Sequence, residues 1–329
     1  MEKMKVNWLI PTQERNYNHV LASIWIRCLQ LIPFLEQLGV ECVINEPFSD
    51  APIYYFVRWQ NDEAYQIASQ AKRRGKKIIF DLVVNYFDES HATLGRLRIE
   101  ECLRFVELAH VVTTCSQFIA NRAADYHAQV VYLPDSINLR HFQGTKRPED
   151  FFRPKLRLIW SGNHSKIHEL EPIFPIARQC GFDMLVISNK HPAKHRWRWF
   201  NSPYQFKRWR YESFPSDILT GDLCISHRDS HTVYNQGHSF FKIGVMMALG
   251  LPVIASAVPS YTELLNHKTG AGWICTSLDE WRKTFRQLKQ NRQQLATASH
   301  NAQKAIAPFT TRCLAPRYHL LFQHLLLET

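Results

Sequence analysis

At 329 residues the chain exceeds one ordinary core and is expected to form about two domains, and 45% apolar residues is the composition of a globular protein, not a disordered one. No apolar run reaches the roughly 18 residues that cross a bilayer, and the apolar run in MEKMKVNWLIP is too short for a signal peptide, so a cytoplasmic protein is expected. A formal charge of +11 favours anionic partners such as nucleotides, nucleic acid or the acidic face of a membrane, without choosing between them.

Lys5–Pro11 is a short apolar run of strand type, followed by the polar loop TQERNYNH. Leu21–Leu38 has helical apolar spacing and ends at Gly39. Val40–Ile44 and Ile53–Val57 are the next strands, and Asp62–Gly75 is a helix closing on Lys-Arg-Arg-Gly, which suits a helix C-terminus. Lys77–Val84 is a strand, Leu94–Ala109 a helix, His110–Thr114 a strand, Gln117–Tyr126 a helix capped by Ser116, and Gln129–Leu133 a strand. Such alternation predicts a parallel sheet covered on both faces. Gln143–Pro154, charged and aperiodic with Gly144, Pro148 and Pro154, is expected to be a linker.

A second series follows. Leu156–Trp160 is a strand ending in Ser161-Gly162-Asn163-His164, and His168–Cys180 is a helix. Phe182–Ser188, Phe206–Tyr211 and Asp222–Ser226 are strands, with a short helix capped by Ser216 before the last. The polar loop after Asn235 leads into Ser239, expected to cap an apolar helix that carries Lys242 in its first turn and stops at Gly250. Pro252–Ala255 is a buried strand, Gly272–Thr276 another, and a long helix runs from Leu278 towards Ile306. Thr310–Leu327 is amphipathic and is expected to pack back on the first half. A helix start carries about half a positive charge and unpaired N–H groups, so with Lys242 one turn in it suits a diphosphate. The eight cysteines, with no Cys-x-x-Cys, are expected to be reduced.

Three segments resemble the GT-B glycosyltransferases of the group 1, or family-four, type. Val111–Phe142 is similar to the end of that family's first domain and Leu156–His164 to the opening of its second. Asp222–Trp281 follows its donor-site block through Lys242, Ala248, Gly250, Pro252, Val253, Glu263, Gly270 and Trp281. The resemblance implies an α/β GT-B fold of two Rossmann-like domains facing a central cleft. Residues 1–147 would form the acceptor-side domain, 148–308 the nucleotide-sugar domain, and 309–329 a helix returning to the first. It implies a hexosyltransferase-like enzyme, metal-independent and retaining, with no cofactor, that moves a sugar from a nucleotide sugar to an acceptor left open, a cell-envelope or other glycan among the choices. The chain departs from the family where two glutamates eight residues apart usually flank the donor: Gly237 and Val245 stand there. A first loop that commonly carries glycines reads Arg15-Asn16-Tyr17-Asn18-His19.

On this basis Ser161, Gly162, Asn163, Lys166, Arg228, His238, Ser239, Phe240 and Lys242 are the expected donor-binding residues. His19 and Asp81 are the expected catalytic groups, and Arg15, Asn18 and Asn85 are expected on the acceptor side. The pairs His164/His168, His191/His195 and His227/His231 have a spacing that binds zinc on a helix, but each lacks a third ligand and no metal site is expected. Lys190–Tyr211 is basic with interleaved aromatics and suits an anionic membrane or glycan, with nucleic acid the less favoured partner. The departures at 237 and 245 keep a second reading open, an inactive relative that serves as a binding or scaffold protein.

Overall fold

A computed structural model describes residues 4–88, 95–191, 204–266 and 268–327. Most of the basic aromatic stretch, including His195, lies outside the described residues. The chain divides into two compact units: Met1–Asn138 with Thr232–Ser239 and Phe309–Thr329, and Leu139–His231 with Phe240–Pro308. Among the described residues no helix is long and apolar enough to cross a membrane, and no cysteine is paired.

The first unit holds six parallel strands, β1 (Lys5–Leu9), β2 (Glu41–Ile44), β3 (Ile53–Val57), β4 (Lys77–Leu82), β5 (Val111–Thr114) and β6 (Val130–Tyr132), in the order β2-β1-β3-β4-β5-β6. Every residue of β3 and β5 is buried, as a sheet covered on both faces requires. One face packs Phe56 and Phe80 against Phe105. On the other, Trp8 and Tyr55 stack at 4.4 Å beneath Phe322 of the last helix, Thr311–Leu327. The run Leu21–Leu38 is not one helix. It breaks into Ala22–Ile24, a widened π turn at Trp25–Leu29, and Ile32–Gln37. Pro33 has no N–H for an unbroken ladder, and the π turn carries Arg27, which is fully buried.

The second unit repeats the plan with β7 (Arg157–Ser161), β8 (Asp183–Ser188), β9 (Gln205–Arg208), β10 (Leu223–Ser226), β11 (Val253–Ser256) and β12 (Gly272–Cys275), ordered β12-β11-β10-β7-β8-β9 and all parallel. The chain starts at β7, moves outward to β9, then returns to lay β10 on the other side of β7. That reversal is the topological switch point, where open sheets of this kind hold ligands beyond the strand carboxyl ends. The helix after β10, Phe241–Ala248, is apolar and sinks Ile243–Met247 into the core.

Several local expectations are corrected. The segment read as a linker is docked in the second unit: Lys146 is buried and pairs with Asp222 at 3.2 Å, and Pro148–Phe152 forms a 3₁₀ turn that buries Phe151. The helix after β7 splits into a 3₁₀ segment, His164–Leu170, and an α-helix, Phe174–Gln179, with Pro175 in its first turn. The helix from Leu278 ends at Gln290, and a second runs Gln293–Ile306, because Asn291 leaves helical geometry (φ −123°, ψ 85°). Ser213, not Ser216, holds the cap position of the helix Phe214–Leu219, and the Ser216 hydroxyl donates to the Ser213 carbonyl. Ser239 does not cap its helix either. The cap residue is Phe240, and the Ser239 hydroxyl donates to Asp135 within the first unit.

The stop at Gly250 is the one foreseen. Its N–H bonds the Met247 carbonyl, that of Leu251 reaches back to Met246, and Gly250 sits in the left-handed region (φ +75°). A Cβ there would lie 2.8 Å from Thr145 Oγ1 and 3.2 Å from Ser299 Oγ. Gly250→Ala should therefore lower the stability of the second unit by about 1–3 kcal/mol, seen as an earlier urea transition. An unchanged midpoint would show that the cap is not strained by a side chain.

Candidate functional site

The polar residues of the second unit converge at its switch point. Trp160 lies near the end of β7, Glu169 on the 3₁₀ segment behind it, His227 and Arg228 just after β10, Ser256 at the end of β11, and Lys242 in the first turn of the helix Phe241–Ala248. The Glu169 carboxylate accepts from Arg228 Nη1 at 3.2 Å and from Lys242 Nζ at 3.5 Å. All three are largely withdrawn from water, with side-chain exposures of 7%, 4% and 14%. The Lys242 ammonium also lies 4.8 Å from the Trp160 ring centroid, a cation–π contact. Arg228 is fixed further: its N–H donates to Ser256 Oγ (2.9 Å) and its Nε to the Tyr261 hydroxyl (3.1 Å).

Burial works against the Glu169 charge, but Lys242, Arg228 and Lys166 outweigh it and hold the carboxyl below its ordinary value. Burial pushes the His227 imidazole down, and its Nδ1 bonds the Glu169 carbonyl at 2.8 Å, so Nδ1 carries the hydrogen of a neutral ring. The cluster thus gathers three cations, one of them half-exposed Lys166, around one carboxylate, and its surplus is positive. A small cavity of about 210 Å³ opens beside it, lined by His227, Arg228, Ser256, Ser277 and Trp281 among others.

Of the expected donor residues, Arg228 and Lys242 come together here, with Lys166 in electrostatic reach. Gly162 is needed for a different approach from the one foreseen, because a Cβ there would meet the Trp160 ring at 2.6 Å. Ser161 is buried at the end of β7. Asn163 caps the 3₁₀ segment, its side chain accepting from the Ser165 N–H. His238 packs edge-on to Tyr234 in the segment that clusters with the first unit, and Phe240 is buried at the helix start. The sequence did not mark Glu169, Trp160 or Tyr261. Glu169 lies 59 and 73 positions from its two partners, a distance at which no local pattern reports a contact.

In the first unit Arg15, Asn18 and His19 lie on the loop after β1. Arg15 donates to the Thr12 carbonyl, the Asn18 N–H donates to Asn16, and His19, 66% exposed, faces Glu14 at 3.4 Å. Asn85, after β4, is buried and donates to Asp88. Asp81 is enclosed within β4. One oxygen accepts from Arg27 Nη2 and Thr113 Oγ1, both at 2.6 Å, the other from Arg27 Nε at 2.9 Å, and the side chain has no exposure. It is a framework carboxylate, not one presented to an acceptor. The two positions where glutamates were missing are closed. A Cβ at Gly237 would lie 3.0 Å from that of Asn85, and Val245 is in the core. Among the described residues no three His, Cys, Asp or Glu side chains gather as metal ligands would. His164 and His168 instead face Asn189 and the Ser165 carbonyl.

No family model matches the chain, and no curated protein matches it in sequence. Solved structures do match along nearly its whole length. Sucrose-phosphate synthase from Thermosynechococcus elongatus superposes with a TM-score of 0.78 at 13% identity, covering 99% of this chain and 100% of that one. HepE of Anabaena, in complex with UDP and glucose, gives 0.71 at 14% over 98% and 100%. WaaG, a glycosyltransferase involved in lipopolysaccharide biosynthesis, gives 0.66 at 12% over 96% and 99%. The chain has the GT-B fold, an α/β architecture of two Rossmann-like units that it shares with these proteins.

The charge state of Glu169 sets a pH window. Its carboxyl titrates near 4.5 when unfolded and lower when folded, so the stability it contributes is complete above about pH 4.5 and is lost as the pH falls through the folded value. Acid unfolding of the wild type should steepen below pH 4.5, and Glu169→Gln should flatten that limb. Superimposable acid profiles would show that Glu169 is not held ionised by its neighbours.

Proposed function

We propose that the chain is a glycosyltransferase that takes its sugar from a nucleotide sugar, with the donor diphosphate on Lys242, Arg228 and the N–H groups at the start of the helix Phe241–Ala248. One observation carries this: a buried cluster with surplus positive charge stands at the switch point of the second sheet, on a fold shared with nucleotide-sugar enzymes. Lys166 would extend the contact, with Ser161, Gly162 and Asn163 flanking it. As the bond from the sugar to the diphosphate breaks, negative charge grows on the departing phosphate, and fixed cations in a low-dielectric site stabilise it more than water would. That makes a metal-independent reaction the reading we favour, with retention taken from the sequence resemblance. UDP accompanies HepE and also the pneumococcal O-GlcNAc transferase GtfA, so uracil nucleotides are the first to try.

The acceptor, a cell-envelope or other glycan, is assigned to the carboxyl edge of the first sheet, where Arg15, Asn18, His19 and Asn85 stand. His19, an exposed imidazole on that loop, is the group we assign to the acceptor hydroxyl. Nucleotide sugars are supplied in the cytoplasm, and the +11 charge suits peripheral contact with an anionic membrane there. The closed positions at 237 and 245 favour a second reading, a relative that binds the donor without turnover.

Titration with UDP, GDP, ADP and their sugars should find one that binds, and Lys242→Ala should weaken it about 10- to 100-fold, the worth of one charged hydrogen bond. Failure of every nucleotide to bind the wild type would sink the proposal. Donor turnover that disappears in Lys242→Ala would remove the binding-only reading.

A further inference from the structure

We propose that the second unit carries a further, non-catalytic binding site at the amino-terminal end of β12, and that it takes a neutral oligosaccharide. The proposal goes beyond the nucleotide-sugar reading and does not depend on it. A cavity of about 470 Å³ opens there, lined by Trp273, Gln287, Asn291, Gln293, Gln294 and Asn301 among others, and its size is usual for a small-molecule site. It shares no residue with the cavity beside Arg228, which lies at the other end of β12, where Cys275 forms part of the wall. The break at Asn291 shapes it. One helix stops at Gln290, the next starts at Gln293, and across the gap Gln287 Nε2 donates to Gln294 Oε1 at 2.8 Å. Gly270, left-handed at φ +56°, lets Asn301 come close enough for its Nδ2 to donate to the Gly270 carbonyl at 3.3 Å. A Cβ at Gly270 would lie 2.9 Å from that nitrogen.

The lining selects the ligand. None of its ten residues is ionisable, in a chain that holds 40 Lys and Arg and 29 Asp and Glu. Arg292, the charged member of the run Asn291–Gln294, is turned to the carbonyls of Phe151, Arg153 and Pro154. A phosphate, a nucleotide or an acidic peptide therefore finds no cation among the lining side chains. An apolar ligand would strip water from the amides without replacing their hydrogen bonds, which is costly. A sugar hydroxyl both donates and accepts, and a side-chain amide answers it with two N–H donors and two oxygen lone pairs. The Gln287–Gln294 bond uses one donor of the first and one lone pair of the second, so both amides keep groups for hydroxyls. Trp273 is half-buried against the core of the second unit and also lines the cavity. The negative face of an indole attracts the slightly positive C–H groups of a pyranose ring.

The test titrates the full chain with neutral trisaccharides of glucose, galactose, mannose or N-acetylglucosamine, with binding followed by saturation-transfer NMR. At least one should bind, and its affinity should change less than about twofold between roughly 50 and 500 mM salt, since no ion pair is made. Saturating UDP should not displace it, and Lys242→Ala should leave it unchanged. Gln287→Ala with Gln294→Ala should weaken it about 5- to 50-fold, the loss of one or two neutral hydrogen bonds, and Trp273→Ala by about tenfold. If Trp273→Ala does not fold, the glutamine pair, neither of them in the core, decides alone. Three results overturn the inference: no trisaccharide binds, UDP competes for the same site, or the glutamine variant binds as the wild type does. Each leaves the nucleotide-sugar reading standing, just as failure of every nucleotide would leave this site standing.

Discussion

Withdrawing an ammonium, a guanidinium and a carboxylate from water costs several kcal/mol for each ion, and their mutual attraction recovers this only where geometry is good and the remaining donors are satisfied. In the second unit shared scaffolding supplies part of that condition. Tyr261 and Ser256 hold Arg228 in place, Trp160 faces Lys242, and the Glu169 backbone is tied to His227. These groups come from the ends of β7, β10 and β11 and from the helices beside them, so the cluster exists only when the parallel sheet has its switch-point order. The surplus of positive charge is then a property of the fold and not of any bound group.

The first unit contains a similar device used differently. Arg27 is enclosed between Asp81 and Asp135, and burial, which opposes its charge, is outweighed by Asp81, Tyr318 and Asp135. Here carboxylates outnumber the cation, and burial raises the Asp135 carboxyl despite its partners. Asp135 also receives the Ser239 hydroxyl, which fixes the chain three residues before Lys242. The network is an internal support of the first unit and carries no surplus for a ligand.

Most of the described strands were legible because they are short apolar runs bounded by Gly, Pro or polar clusters, as a doubly covered parallel sheet demands, while the edge strand β9 is polar and largely exposed. The Gly250 stop was legible for a similar reason, since a left-handed residue followed by Pro252 leaves few alternatives. What was hidden depends on distance or on a single backbone angle. Nothing near Asn291 announces the break in its helix, and in Leu21–Leu38 only Pro33 gives a local sign of one. Asp81 reads as a reactive acid at a strand end until Arg27, 54 positions earlier, is brought against it. Lys242 and Arg228 were found through a local pattern and a family likeness, whereas Glu169 has neither and emerges only from three-dimensional packing.

The account turns on where a diphosphate sits. A crystal structure of the protein with a bound nucleotide sugar measures this directly. It should place phosphate oxygens within hydrogen-bond reach of both Lys242 Nζ and the Arg228 guanidinium, with Glu169 still beside them. A nucleotide bound elsewhere, with Lys242 still held by Glu169 and touching no phosphate, would contradict the account.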